Sequence, residues 1–217
     1  DSQRSSPTLL KISRNEIFEP LVLGPVIVTF LTFLSYGALL TIIPDFSNHL
    51  GIHNKGLFFT FFTVASIGIR LGAGKISDKH GRVPVLKISA AMMAVSLFML
   101  AMATTPFVMM TAAIIYGVSV GINSPAVTAW TVDLGHPEYR GRALATMYIA
   151  MEAGIGLGAY LSAYIYHNNA SYFPVTFGVM GVAALLATVY LILIHDNRRL
   201  KVMWRLVHMK THLRRWL

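Results

Sequence analysis

The chain has 217 residues, 55% hydrophobic and only 12% charged, against roughly 25% charged in an ordinary soluble domain, so a soluble fold is excluded. Eighteen Lys and Arg against 9 Asp and Glu give a formal charge of +9, compatible alone with nucleic acid, anionic lipid or an acidic ligand, so the placement of the charges decides. The absence of cysteine excludes a disulfide framework, an iron–sulfur or thiolate zinc site and a cysteine nucleophile.

The chain opens at Asp1 rather than a methionine, so it is expected to be processed or a piece of something longer. Residues 1–19 form a polar leader carrying Arg4, Lys11 and Arg14. From Pro20 onward six long uncharged or nearly uncharged stretches follow. They are Pro20 to Pro44, Leu57 to Ser77, Pro84 to Thr104, Phe107 to Thr131, Ala143 to Ile165 and Phe173 to His195. Each has about the 20 apolar residues a hydrocarbon span needs. All are too long and too uniformly apolar for a strand or a half-exposed helix, and none has the shape of a cleaved signal peptide.

The first span places Tyr36 beside Gly37 at its middle. In the second, Gly68 and Gly72 are expected to form a packing pair, with Thr63, Ser66, Arg70 and Ser77 making a polar stripe on another face. A tight turn then runs through Gly74-Lys75-Ile76-Ser77-Asp78-Lys79-His80-Gly81-Arg82-Val83-Pro84. There Gly81 can take a positive φ, Pro84 suits the first turn of the next helix, and Asp78 beside Lys79 and Arg82 offers a charge-assisted network. In the fourth span Gly117 and Gly121 read as packing residues, while Asn123-Ser124-Pro125 reads either as a polar cavity group or as a kink device. The fifth span carries Ala150, Gly154, Gly158 and Ser162 at every fourth position, a small-residue stripe for close packing. Glu152 lies off that stripe and shares its face with Tyr148, Gly156 and Ala159. The tail 196–217 sets Arg198, Lys201, Arg205, His208, His212 and Arg215 at steps of three and four, a basic stripe suited to the anionic inner leaflet or simply solvated.

All Lys and Arg residues except Lys55 and Arg70 fall on the leader, on alternate loops or on the tail, hence on one side of the membrane. The positive-inside rule makes that side, and both termini, cytoplasmic. The basic excess is therefore an orientation signal, and no aromatic-interleaved basic patch points to nucleic acid.

Gly74-x-x-x-Asp78-x-x-Gly81-Arg82, with Leu86 beyond it, resembles the loop signature of the major facilitator superfamily (MFS) of secondary transporters, with Lys79 where that family most often has arginine. Pro137-Glu138-Tyr139-Arg140-Gly141-Arg142-Ala143 is similar to the family's Pro-x-x-Arg-Gly-Arg-Ala lead into a following helix, and Gly154-Ile155-Gly156-Leu157-Gly158 to its Gly-rich fifth or eleventh helix. The resemblance implies an all-α membrane protein: six transmembrane helices in an MFS-type half bundle built of two inverted three-helix repeats. It also implies another six-helix half, on the same polypeptide or a second chain, and a solute site between the halves. The polar leader resembles the linker between halves and the basic end a C-terminal tail, which favours the C-terminal half.

Arg70 and Glu152 are the two charges deep in the spans, both within about 5 Å of the midplane at 1.5 Å per residue. Each would cost about 2.5–3.5 kcal/mol against lipid, so each should face protein or water. Glu152 is the candidate proton-coupling carboxylate, with a structural hydrogen bond the bland alternative. Tyr36, Asn123, Tyr148 and Arg70 are candidates for the substrate cavity, Arg70 leaning toward holding helices or halves together. Gly74, Asp78, Gly81, Arg82, Arg140 and Arg142 form the loop signature. His49 and His53 lack a third ligand for a metal, Gly154-x-Gly156-x-Gly158 lacks a dinucleotide fingerprint's context, and no catalytic constellation or cofactor site is present. The function expected is secondary active transport of a small solute (drug, sugar or other organic compound, uptake or efflux) across the cell (inner) membrane, coupled to protons or another ion. The alternatives are a six-helix transporter acting as a homodimer and a non-transporting membrane sensor or assembly protein.

Overall fold

The computed structural model describes residues 19–196; the leader 1–18 and the basic stripe of the tail lie outside the described residues. Six helices run in chain order: α1 (Leu23–His49), α2 (Leu57–His80), α3 (Arg82–Ala101), α4 (Pro106–Leu134), α5 (Arg140–Tyr166) and α6 (Phe173–Asp196). Short 3-10 turns precede α1, α5 and α6 at Pro20–Val22, Pro137–Tyr139 and Ala170–Tyr172. All six segments are long and apolar enough to cross a membrane.

Most boundaries follow the hydropathy, and the departures have local causes. Helix α1 runs through Pro44 to His49, because in a membrane a missing proline N–H is tolerated where neighbours satisfy the freed carbonyl. Helix α2 continues to His80 and α3 starts at Arg82, so the signature stretch is helix rather than loop and the reversal falls on Gly81 alone, at φ 88 and ψ 153. An L side chain is disfavoured at that φ, which is why glycine stands there. Helix α3 ends at Ala101, short of Thr104, and α4 begins on Pro106 with the Thr105 hydroxyl accepting from the Val108 N–H at 3.4 Å.

Packing follows a row of neighbours. Helix α5 lies along α1, α1 touches α6, α6 packs on α3, α3 on α4, and α4 on α2. Helices α2 and α5 are thus the two ends of the row and the least buried of the six. Lipid tails are as apolar as leucine, so helix association rests on close van der Waals contact and interhelical hydrogen bonds rather than on escape from water. Two glycine seams supply the contact. A Cβ on Gly158 would lie 2.0 Å from the Leu34 carbonyl oxygen, one on Gly154 2.7 Å from that of Phe30, and one on Gly37 2.0 Å from that of Ile155. These fasten α5 to α1. On the other side a Cβ on Gly117 would sit 2.3 Å from the Phe62 carbonyl oxygen, and one on Gly121 2.6 Å from that of Ser66, fastening α4 to α2.

The period-four stripe of α5 is buried along its length, at Ala150, Gly154, Gly158 and Ser162. The expectation for α2 is corrected. Gly68 and Gly72 have no atom within 4 Å of an added Cβ, and the buried face of α2 is instead Phe58, Ser66, Ala73 and Ser77. The expected polar stripe therefore splits, with Ser66 and Ser77 buried and Thr63 and Arg70 exposed. The close-packing glycines of that seam belong to α4. Hydroxyls add cross-links: Ser96 Oγ donates to the Ala112 carbonyl at 2.8 Å across α3 and α4, and Ser35 Oγ and Tyr116 OH share a bond at 2.7 Å between α1 and α4.

Replacing Gly158 by Leu is expected to cost about 1–3 kcal/mol by overpacking, or to prevent the bundle from accumulating. Gly68→Ala, on the open face of α2, should leave the thermal midpoint unchanged or slightly raised. Fluorescence-detected size exclusion of heated, detergent-solubilised variants checks both.

Candidate functional site

At the end of the bundle carrying the basic loops, the turn at Gly81 sets Arg82 on the first residue of α3. From there its guanidinium reaches back to Asp78 and Ser77 on α2 and across to Asp133 on α4, with Nε donating to Asp133 Oδ2 at 3.0 Å and Nη1 to Ser77 Oγ at 3.2 Å. One arginine thus ties the ends of three helices. Gly74 stands exposed on α2 with no atom near an added Cβ. Asp133 was not singled out by motif, though an acid placed just past the fourth span, on the same side as Arg82, was a readable signal.

The second signature works differently. Arg140 is exposed, whereas Arg142 turns inward and donates through Nε to Glu19 Oε2 at 3.0 Å, with its guanidinium 4.7 Å from the Tyr139 ring centroid. Glu19 is buried, and its N–H donates to Thr146 Oγ1 at 3.1 Å. The residue just before the 3-10 turn that leads into α1 is thereby pinned to the first turns of α5.

Two polar candidates lie in the interior of the half. Asn123 is buried, its Nδ2 donating to Thr32 Oγ1 and its Oδ1 accepting from Ser89 Oγ, each at 3.4 Å, so it links α4 to α1 and α3. Its side chain bonds to other helices rather than to the carbonyl freed by Pro125. Tyr36 is partly buried, with ring centroids 6.0 Å from Phe33 and 6.1 Å from Phe62, at the meeting of α1 and α2. Tyr116, fully buried beside Ser35, is a polar core residue the sequence reading passed over.

Arg70 and Glu152 take the opposite arrangement. Both are exposed, both sit on the two end helices, and neither enters an ion pair among the described residues. Because α2 packs on α4 and α5 on α1, the structure does not bring the two together. On α5 the exposed residues form two ladders of period four. One is apolar: Ala145, Ile149, Ala153 and Leu157. The other is Tyr148, Glu152, Gly156, Tyr160 and Tyr164. The buried seam turns the glycine stripe toward α1, and the helical period then fixes the charge on the far side.

Away from these groups, a cleft of about 240 Å³ at the other end of the bundle is lined by Phe46, His49, Met102 and Phe173. His49 stacks there on Phe46 and tilts against Phe173, with ring centroids 6.4 and 5.4 Å apart. Among the described residues no three His, Cys, Asp or Glu side chains cluster as metal ligands.

Comparison with known proteins agrees on one family. The family model of the Major Facilitator Superfamily matches residues 26–204. The chain is 27% identical over 176 residues to the quinolone resistance protein NorA of Staphylococcus aureus, covering 78% of this chain and 44% of that protein. It is 26% identical over 164 residues to multidrug resistance protein 1 of Bacillus subtilis, covering 73% and 41%. The chain therefore spans less than half the length of the curated relatives it matches. Among solved structures, a peptide transporter in complex with sulfate aligns with a TM-score of 0.66 at 17% identity, over 81% of this chain and 37% of that one. The human organic anion transporter MFSD10 aligns at 0.63 and 23% identity, over 77% and 46%. These two show the shared fold.

The pair of Glu19 and Arg142 has unequal sides, the carboxylate side chain 4% exposed and the guanidinium 23%. Arg142→Ala is therefore expected to destabilise by about 1–3 kcal/mol more than Glu19→Ala, since it strands the more buried charge. Thermal midpoints of the two variants, measured side by side, check the order.

Proposed function

We propose that this chain, which belongs to the Major Facilitator Superfamily, is one six-helix half of a secondary active transporter that moves a small organic solute by alternating access. Transporters of this kind place two six-helix halves around a solute site near the midplane, and each half is built of inverted three-helix repeats. The observation that carries the reading is the pair of mid-span charges, Arg70 and Glu152, exposed on the two least buried helices without an ion pair among the described residues. At about 2.5–3.5 kcal/mol each against lipid, they call for a second surface or a water-filled path. The chain's length, under half that of its curated relatives, supports a second half as that surface.

Within this reading Glu152 is the carboxylate that takes up and releases the coupling proton, Tyr148 its neighbour one turn away, and Arg70 the group that holds the other half. Tyr36 and Asn123 act from one layer deeper, shaping the helices behind the path. Arg82 with Asp78 and Asp133, and Arg142 with Glu19, brace the ends of the helices as the half rocks. The names of the relatives, quinolone resistance and multidrug resistance, favour drug-like solutes moved outward. The basic loops favour an orientation with that end of the bundle in the cytoplasm of a cell whose inner membrane holds the protein.

Glu152→Gln is expected to abolish proton-driven transport in proteoliposomes while leaving solute counterflow, which needs no net proton movement, within a few-fold of wild type. Proton-driven transport that survives unchanged would remove the coupling role.

A further inference from the structure

Inside the half, four oxygen-bearing side chains gather on three helices: Thr29 and Thr32 on α1, Ser89 on α3 and Asn123 on α4, all fully or almost fully buried. Counted at 1.5 Å per residue from the basic end of each helix, they sit about 9–17 Å deep. Their hydrogens do not suffice for their oxygens. The Ser89 hydroxyl has one proton and two acceptors in reach, the Leu86 carbonyl at 3.0 Å and Asn123 Oδ1 at 3.4 Å. With that proton on the nearer carbonyl, Ser89 Oγ and Asn123 Oδ1 face each other with lone pairs on both sides and no hydrogen between them. Thr32 gives its own proton to the Val28 carbonyl at 2.8 Å and takes Asn123 Nδ2 at 3.4 Å, which fixes the amide with Oδ1 toward Ser89. One turn along the same helix, Thr29 Oγ1 is buried with no hydrogen-bond partner among the described residues. A buried hydroxyl left unmade is a cost that a folded interior rarely carries without a use.

We propose that this cluster binds a dehydrated monovalent cation of sodium's size, with Asn123 Oδ1 and Ser89 Oγ as ligands and the Thr29 and Thr32 hydroxyls facing them from α1. A cation of that size holds oxygens at about 2.4 Å, as calcium does, and neighbouring vertices of an octahedral shell then stand about 3.4 Å apart. The 3.4 Å between Ser89 Oγ and Asn123 Oδ1 is that spacing, and it is long for a hydroxyl hydrogen bond. The desolvation cost of an ion rises with the square of its charge, so a shell of neutral oxygens suits a monovalent ion, whereas calcium and magnesium take carboxylates. Once bound, the ion uses the surplus lone pairs and ties α1, α3 and α4 together inside the bundle. The site does not depend on the coupling role of Glu152, which lies on the far side of α5 from α1.

The test is the thermal midpoint of the intact protein that carries this chain, in detergent, titrated with sodium chloride at ionic strength held constant by choline chloride. A ligand that binds only the folded state stabilises it by mass action, so a saturable rise of several degrees is expected with sodium, a smaller one with potassium and none with choline. Ser89→Ala and Thr29→Val, which remove an oxygen with little change of shape, should each shrink the sodium response several-fold while leaving the protein folded in choline. Val182→Ala on α6 should keep the full response. Equal midpoints in sodium and choline, or a wild-type sodium response in Ser89→Ala, would overturn the site. Equilibrium binding of radioactive sodium to the wild type gives a second readout should a variant not accumulate: saturable binding displaced by unlabelled sodium and not by choline is expected, and no saturable binding overturns the site. Both readouts need no flux, so a protein that transports a solute yet ignores sodium loses the site and keeps the transport function, and one that binds sodium without transporting does the reverse.

Discussion

The half bundle depends on two places where a helix backbone comes so close to its neighbour that no Cβ fits between them. The Leu34 carbonyl oxygen occupies the position a Gly158 side chain would take, and the Phe62 carbonyl oxygen does the same at Gly117. In lipid, where burying an apolar side chain gains little, such contact is what holds helices together. It also sets rotation. Once Gly154 and Gly158 face α1, Glu152 must face away from it, and once Ser66 and Ala73 of α2 face α4, Arg70 is left on the open side. The exposed charges are thus a consequence of the packing seams rather than a separate feature of the fold.

The polar groups divide by the same logic. Apart from Thr29, hydroxyls that land inside among the described residues are satisfied locally or across a seam, as Thr32 is by the Val28 carbonyl at 2.8 Å and Ser47 by that of Ile43 at 2.8 Å. Two arginines at the end of the bundle carrying the basic loops find partners on other elements: Arg82 joins α2, α3 and α4, and Arg142 joins α5 to Glu19, just before the 3-10 turn that leads into α1. At mid-depth on the end helices, Arg70 and Glu152 stand without an ion pair among the described residues. A bundle that could place Asn123 between Thr32 and Ser89 was able to satisfy a mid-membrane polar group internally, which gives the exposure of Arg70 and Glu152 its functional weight.

Much of this was legible in the chain because hydropathy needs no tertiary information. Six spans, their order and the turn at Gly81 follow from apolar length and from glycine's access to positive φ. The α5 seam was legible because its stripe of Ala150, Gly154, Gly158 and Ser162 is four residues deep on one face. The α2 seam was not. Gly68 and Gly72 carry the same local signal, yet glycine permits a close approach without saying which neighbour makes it, and there the small residues that matter sit on the partner at Gly117 and Gly121. Asp133 and Glu19 were missed for a related reason, since their roles exist only through Arg82 and Arg142, 51 and 123 residues away in sequence. Of the candidate site, the depth and the outward direction of Glu152 could be read from helical period alone. Its ladder of tyrosines required knowing which neighbouring positions stay exposed.

The central claim is that the α5 seam turns the ladder of Tyr148, Glu152, Gly156, Tyr160 and Tyr164 toward water. The chain contains no cysteine, so single cysteines can be placed along α5 and labelled in membranes with a membrane-impermeant maleimide. The account predicts reaction at those five positions, with Ala150→Cys and Ser162→Cys on the seam unreactive. Labelling that is fast at 150 and 162 and absent along the ladder would contradict it.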